Sequence, residues 1–117
     1  MKNQNFIKRL GFALNGIRMV WKIEPSFRWQ VLCGIGAYVL LFLTHSDLIW
    51  WALFSLVIAM VLSAELFNSA LERTLDRLHP ERHPLIAEAK DCAAGAVLVC
   101  SLAALILLAC FFFNYFY

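Results

Sequence analysis

The chain has 117 residues and a mass of 13.4 kDa, which is the size of one domain. Hydrophobic residues make up 62% of it, charged residues only 15%, and the mean hydropathy is +0.73, whereas soluble domains are about 45 to 50% apolar. The composition therefore excludes an ordinary soluble domain and indicates a membrane protein. A net charge of +2 says little about partners, and we expect no nucleic acid among them.

The N-terminal residues 4–23 are predicted to form an amphipathic helix. At about 100° per residue, seven apolar side chains fall within a sector of about 120°. Such a helix lies on the membrane surface with its cations toward anionic headgroups, and a simple anchor is the alternative interpretation. No cleavable signal peptide is expected, because charges are scattered among the apolar positions. The seven are Phe6, Ile7, Leu10, Ala13, Leu14, Ile17 and Trp21.

Three transmembrane helices are predicted to follow the surface helix. Residues 29–64 contain one charge, Asp47, and would be about 54 Å long as a single helix, so the chain must turn within a hydrocarbon core of about 30 Å. The polar residues 44–47 separate a span at 25–43 from one at 48–78. Residues 79–84 contain two prolines and interrupt the helix; a third span covers 85–114. The fold class is an all-α membrane protein, in a single domain over residues 1–117.

The charge distribution predicts the topology. All ten Lys and Arg residues lie in the N-terminal segment or near the 79–84 connection, and residues 44–47 contain none. The positive-inside rule therefore places the N-terminus and that connection in the cytoplasm. We expect a multi-pass protein of the cell inner membrane. The four cysteines, which lie in or beside apolar stretches without C-x-x-C spacing, are expected to be reduced thiols.

A polar stripe marks the cytoplasmic half of the second span. Glu65, Asn68, Glu72 and Asp76 fall within about 80° of one another on a helix. An ionisable residue at the depth of Glu65 is a functional-site hypothesis by default. Glu24 and the pair Lys90 and Asp91 are expected at the same cytoplasmic level.

These residue types suit phosphoryl transfer. Mg²⁺ prefers one or two carboxylates plus phosphate oxygens, a lysine could hold phosphate charge, and a buried carboxylate could remove the proton from a lipid hydroxyl. The phosphate-binding and kinase signatures of soluble proteins are absent from the sequence.

Two segments, ELFNSALERTLD at 65–76 and AKDCAAGAV at 89–97, resemble the small prokaryotic integral-membrane diacylglycerol kinase family, which includes undecaprenol kinases. The resemblance covers roughly residues 6–110. It implies a homotrimer of three-span subunits, with active sites shared between neighbouring subunits at the cytoplasmic interface. It also implies ATP as co-substrate, Mg²⁺ as cofactor and a membrane lipid as acceptor, in phospholipid biosynthesis and related lipid metabolism.

The resemblance assigns roles residue by residue. Glu65 would be the general base that contacts the lipid hydroxyl, and Glu24 and Glu72 would hold the Mg²⁺ that bridges ATP. The lipid would meet residues 27–29, and the remaining assigned residues would contact nucleotide. The lipid-binding residues are Phe27, Arg28 and Trp29, and the further nucleotide-binding residues are Asn68, Glu81, Arg82, His83, Lys90 and Asp91.

The sequence departs from the family pattern at three positions. Asn5 and Phe12 stand where the better-known diacylglycerol kinases have an arginine and a tyrosine that contact nucleotide, and Trp29 replaces a polar residue. We expect direct transfer of the ATP γ-phosphoryl group to a lipid hydroxyl. The acceptor is diacylglycerol, which gives phosphatidic acid, or undecaprenol, which gives undecaprenyl phosphate. The alternative is a non-catalytic oligomeric subunit whose polar stripe serves assembly.

Overall fold

The computed structural model describes residues 3–117, and Lys2, one of the ten basic residues counted above, lies outside them. The described chain contains four helices and no strand: α1 (Phe6–Ile23), α2 (Pro25–Leu43), α3 (Leu48–Leu78) and α4 (Pro84–Phe116). Helices α2, α3 and α4 are each long and apolar enough to cross a membrane. The predicted fold class, a surface helix followed by three spans in an all-α protein, is confirmed.

Local capping sets where the first and last helices begin. Helix α1 starts at Phe6, two residues later than the sequence pattern suggests, because the Asn5 side chain accepts a hydrogen bond from the Lys8 backbone N–H at 2.9 Å. Helix α4 starts at Pro84, one residue earlier than predicted. Proline suits this position because its missing N–H would have no partner in the first turn, and His83 Nδ1 accepts from the Leu85 N–H at 3.1 Å.

Helix α1 packs against the rest of the chain only near its C-terminal end. Val20 is its one buried residue, whereas Phe6 and Ile7 are more than three-quarters exposed. Arg28 of α2 holds this end, since its Nη1 donates to the backbone carbonyl oxygens of Trp21 and Lys22. These carbonyls lie in the last turn of α1, where a cation also meets the negative end of the helix dipole.

An aromatic cluster holds the three long helices together at the end that contains the α2–α3 turn. Leu41, Phe54 and Phe111 are buried there, one from each helix. The Phe111 ring meets those of Phe54 and Trp50 edge to face, with centroids 5.7 and 5.3 Å apart. Such pairs contribute about 0.5 to 1.5 kcal/mol beyond their burial, so the aromatic rings stabilise the contact among the three helices at this end.

Close helix packing also brings the middle of α2 against α3. A Cβ atom added at Gly34 would lie 3.2 Å from Ile58 Cγ2, so the absent side chain lets the two backbones approach. Helix α3 has 31 residues and α4 has 33, which correspond to about 46 and 50 Å. Both exceed a hydrocarbon core of about 30 Å, so their charged ends extend beyond it on the side where α1 lies.

Candidate active site

The centre of the site is the carboxylate of Glu65 on α3. This side chain is 5% exposed. Its Oε1 accepts a hydrogen bond from Ser26 Oγ at 2.7 Å, and its Oε2 accepts one from Gln30 Nε2 at 3.1 Å. Ser26 and Gln30 are four residues apart at the start of α2, so they share a helix face. The base candidate is thus held between two helices by two neutral donors.

A second carboxylate, that of Glu24, lies beside α3 one helical turn beyond Glu65. Glu24 is at the junction of α1 and α2, and its Oε1 accepts a long hydrogen bond of 3.5 Å from the Ser69 hydroxyl. Ser69 is 1% exposed and follows Glu65 by four residues. Glu72, which is half-buried, lies three residues beyond Ser69 on the same face. The structure therefore stacks the Glu65, Glu24 and Glu72 carboxylates along one face of α3.

Two buried oxygens beside this stack have no partner within the described chain. They are Oδ1 of Asn68 and Oε1 of Gln30. An unpaired buried acceptor costs about 1 to 3 kcal/mol. Asn68 is four residues from Glu72 and therefore on its side of α3. Native proteins rarely contain buried polar atoms without a hydrogen-bond partner, so both oxygens indicate a bound ligand or a catalytic function.

The oxygen atoms of this stack suit Mg²⁺. Glu24, Glu72 and Asn68 carry carboxylate and amide oxygens, which are ligand types that this ion accepts. Within residues 3–117, no group of three or more His, Cys, Asp or Glu side chains is arranged to hold a metal. Mg²⁺ takes one or two protein carboxylates and completes its shell with water and phosphate oxygens.

A polar cavity lies at the connection between α3 and α4. Its volume is about 510 Å³, which is within the range of small-molecule sites. Lys90 forms a salt bridge with Asp76 at its wall. The exposed Asp91 is not among its lining residues. The lining residues are Asp76, His79, Pro80, Glu81, Arg82, His83, Pro84, Ile86, Ala87 and Lys90.

The site residues predicted from the sequence fall at two levels rather than one. Asp76, which holds Lys90, follows Glu65 by eleven residues on α3. This separation is about 16 Å along the helix axis. Within one chain, Glu65, Glu24, Asn68 and Glu72 form the inner group. The 81–83 segment and Lys90 form the outer group.

The three residues assigned to lipid binding have different surroundings. Phe27 is 3% exposed and belongs to the packed interior. The Arg28 guanidinium is engaged with the last turn of α1. Trp29 is 68% exposed and, with Gln30, lines an apolar groove of about 400 Å³ between α2, α3 and α4. Only Trp29 of the three lies where a lipid chain could contact it.

Sequence reasoning missed Ser26, Gln30 and Ser69. Two signals were present in the sequence. Ser26 and Gln30 are polar residues four apart at the start of an otherwise apolar span, and Ser69 lies in the middle of the polar stripe. Asn5, which stands in place of a nucleotide-contacting arginine, instead caps α1.

Known proteins resemble this chain over most of its length. Residues 11–112 match the family described as prokaryotic diacylglycerol kinase. The chain belongs to this family. An undecaprenol kinase from Bacillus subtilis (strain 168) is 35% identical over 94 residues, which are 80% of this chain and 76% of the relative. A diacylglycerol kinase from Escherichia coli (strain K12) is 33% identical over 100 residues, which are 86% of this chain and 82% of the relative.

A third relative extends the same pattern. The diacylglycerol kinase from Helicobacter pylori (strain J99) is 31% identical over 96 residues, which are 82% of this chain and 75% of the relative. The resemblance drawn from the 65–76 and 89–97 segments is confirmed, and with it the prediction of a lipid kinase in a prokaryotic membrane. A non-catalytic subunit is not supported.

We predict that Asn68→Leu stabilises the free protein and inactivates it. Leucine has a similar volume and removes the unpaired buried Oδ1, which should raise the free energy of unfolding by about 1 kcal/mol. Kinase activity should fall at least tenfold. Thermal unfolding in detergent micelles and a kinase assay measure the two effects. The control is Asn114→Leu, a substitution at an exposed position that should change neither the stability nor the activity. Lower stability together with full activity in Asn68→Leu would contradict the prediction.

Proposed function

We propose that this protein transfers the γ-phosphoryl group of ATP to the hydroxyl of a membrane lipid alcohol. The acceptor is diacylglycerol, which gives phosphatidic acid, or undecaprenol, which gives undecaprenyl phosphate. The observation that carries the proposal is the buried Glu65 carboxylate, whose donor Gln30 also lines the apolar groove. A lipid chain in this groove would bring its polar end toward a hydrogen-bonded base.

The transfer is a single displacement at phosphorus. The lipid hydroxyl oxygen forms a bond to the γ-phosphorus while the bond from that phosphorus to the β,γ-bridging oxygen breaks, and ADP leaves. Glu65 accepts the hydroxyl proton as general base, a contribution of about 10²- to 10⁴-fold in rate. No side chain is phosphorylated in this scheme, so the phosphoryl group passes directly from nucleotide to lipid.

The nucleotide would bind in the polar cavity of one subunit and extend toward the inner group of residues of its neighbour. Arg82 and Lys90 provide positive charge for phosphate oxygens, and the 81–83 segment lines the rest of the cavity. Glu24, Glu72 and Asn68 would hold Mg²⁺, which when bound neutralises charge on the phosphates. Breaking the salt bridge between Lys90 and Asp76 would free the Lys90 ammonium group for ATP. Asp91, the next residue along the chain, is included in this proposed nucleotide site.

The acceptor lipid is proposed from the groove and from the relatives together. The groove walls are almost entirely apolar, as an aliphatic or polyprenyl chain requires. Relatives named for undecaprenol and for diacylglycerol match this chain at nearly equal identity, 35% and 33%, so the proposal includes both acceptors. In this scheme the N-terminus and the site face the cytoplasm, where ATP is available and where the positive-inside rule places the basic residues.

We also propose that the protein acts as a homotrimer with shared sites. A single chain is a slab with principal extents of 53 × 39 × 22 Å, too thin to surround a nucleotide and a lipid together. Lys90 is held about 16 Å from the level of Glu65 along α3. A neighbouring subunit could bring its own Lys90 to this base, which would complete the site across an interface.

We predict that the purified protein phosphorylates at least one of the two lipids. In mixed micelles with Mg²⁺ and γ-labelled ATP, label should appear in the lipid fraction. Glu65→Gln should lower kcat about 100-fold or more with little change in the KM for ATP, because the amide cannot accept the proton.

Asp47→Asn is the matched control for this experiment. It makes the same carboxylate-to-amide change at the opposite end of the bundle, where Asp47 makes no side-chain capping bond, and it should keep wild-type kcat. Absence of label in both lipids from a folded oligomer would refute the kinase proposal. Full activity in Glu65→Gln would refute the assignment of the base.

We predict that two inactive variants complement each other if sites are shared. Subunits with Glu65→Gln and subunits with Lys90→Met should each be inactive alone. Coexpressed at equal amounts, they should restore about one quarter of the sites, because each restored site takes Glu65 and Lys90 from different chains. Activity in the mixed oligomers no higher than in the separate variants would show that each subunit carries its own complete site.

A further inference from the structure

The groups that hold Glu65 have no assigned role in the proposed reaction. Ser26 Oγ donates to Oε1 at 2.7 Å and Gln30 Nε2 donates to Oε2 at 3.1 Å. Each carboxylate oxygen has two lone pairs, so one acceptor position on each oxygen remains free. Two donors on two different oxygens fix the plane of the carboxylate, which a single hydrogen bond would leave free to rotate.

Both donors are neutral, and the neighbouring cations are engaged elsewhere. Arg28 lies between Ser26 and Gln30 in sequence, yet its guanidinium donates to carbonyl oxygens of α1. Lys90 is paired with Asp76. A cation against Glu65 would stabilise its charge more strongly and make it a poorer proton acceptor. Neutral donors satisfy the carboxylate oxygens in an apolar setting without placing a positive charge against them.

The side-chain amide of Gln30 is oriented by the charge of its partner. A carboxylate only accepts hydrogen bonds, so the NH₂ group must face Glu65 and the amide oxygen must face away. That oxygen is buried and has no hydrogen-bond partner among residues 3–117, an arrangement that lowers stability. A residue present only to stabilise the fold would not leave this acceptor unpaired, so the hydrogen bond to Glu65 is the feature that explains its placement.

We propose that Ser26 and Gln30 are positioning residues for the base. They act through Glu65: they hold its carboxylate charged and oriented, with its free lone pairs available to the lipid hydroxyl. This inference rests on the proposed role of Glu65 in phosphoryl transfer. It assigns the first turns of α2 to catalysis, although neither residue contacts ATP or the γ-phosphoryl group.

The test compares two substitutions of the same shape at Ser26. Thr keeps the hydroxyl donor and Val replaces it with a methyl group, and both are similarly tolerated in a helix. Ser26 is exposed within the chain, so the added methyl group has room. We expect Ser26→Val to lower kcat about 10- to 100-fold, with an unchanged KM for ATP, and Ser26→Thr to remain within about threefold of wild type.

Three further variants complete the experiment. Gln30→Met keeps the length of the side chain, removes its donor and should lower kcat by a similar factor. Ser55→Val removes a hydroxyl that bonds Tyr38 at 2.7 Å between the same two helices, away from Glu65, and should leave kcat unchanged. Glu65→Gln, measured in parallel, reports on the proposed function itself.

The outcomes separate the two proposals. Loss of kcat in Ser26→Val and Gln30→Met, with recovery in Ser26→Thr and impaired Glu65→Gln, supports the positioning role. Wild-type kcat in both donor-deletion variants while Glu65→Gln is impaired overturns this inference and leaves the proposed function standing. Equal loss in Ser26→Val and Ser26→Thr also overturns it, because shape rather than the hydroxyl would then matter. Full activity in Glu65→Gln refutes the assignment of Glu65 as the base and this inference with it, whereas the kinase proposal itself fails only if neither lipid is labelled.

Discussion

The burial of one carboxylate is the constraint on which the rest of this structure depends. A charged group in an apolar bundle is costly unless hydrogen bonds replace its water shell. Glu65 obtains these bonds from Ser26 and Gln30, so the first turns of α2 must lie against the middle of α3. The close approach at Gly34 and the Arg28 contact with α1 both contribute to this placement.

The length of the helices then determines where the other functional groups can be. Helices α3 and α4 are longer than the hydrocarbon core is thick, so their charged ends form a polar region outside it. One face of α3 leads from the buried Glu65 to Glu72 and Asp76. Glu24 of the α1–α2 junction lies beside this face, and Lys90 of α4 pairs with Asp76 at the polar cavity. The apolar groove and the polar cavity therefore lie at different levels of the same bundle.

Much of this organisation could be predicted from the sequence. The hydropathy pattern predicted three spans, and the spacing of Glu65, Asn68, Glu72 and Asp76 predicted one polar face, because helical periodicity is a local property. The partners of Glu65 could not be found in this way, since Ser26 and Gln30 approach it from another helix. Lys90 was expected at the level of this polar stripe, and it pairs with Asp76 at the outer end of the stripe. The sequence did not indicate which stripe residue it would meet, because residues on different helices meet according to packing and not to hydropathy.

The protonation state of Glu65 is the most direct test of the account, which requires a charged carboxylate inside the bundle. Difference infrared spectroscopy between wild type and Glu65→Gln, with ¹³C-labelled glutamate, isolates the signal of this side chain. For the resting enzyme at neutral pH, we predict the paired stretching bands of an ionised carboxylate. A single carbonyl band of a protonated carboxylic acid would contradict the account, because Glu65 could then neither accept the hydrogen bonds as described nor take the proton of the lipid hydroxyl.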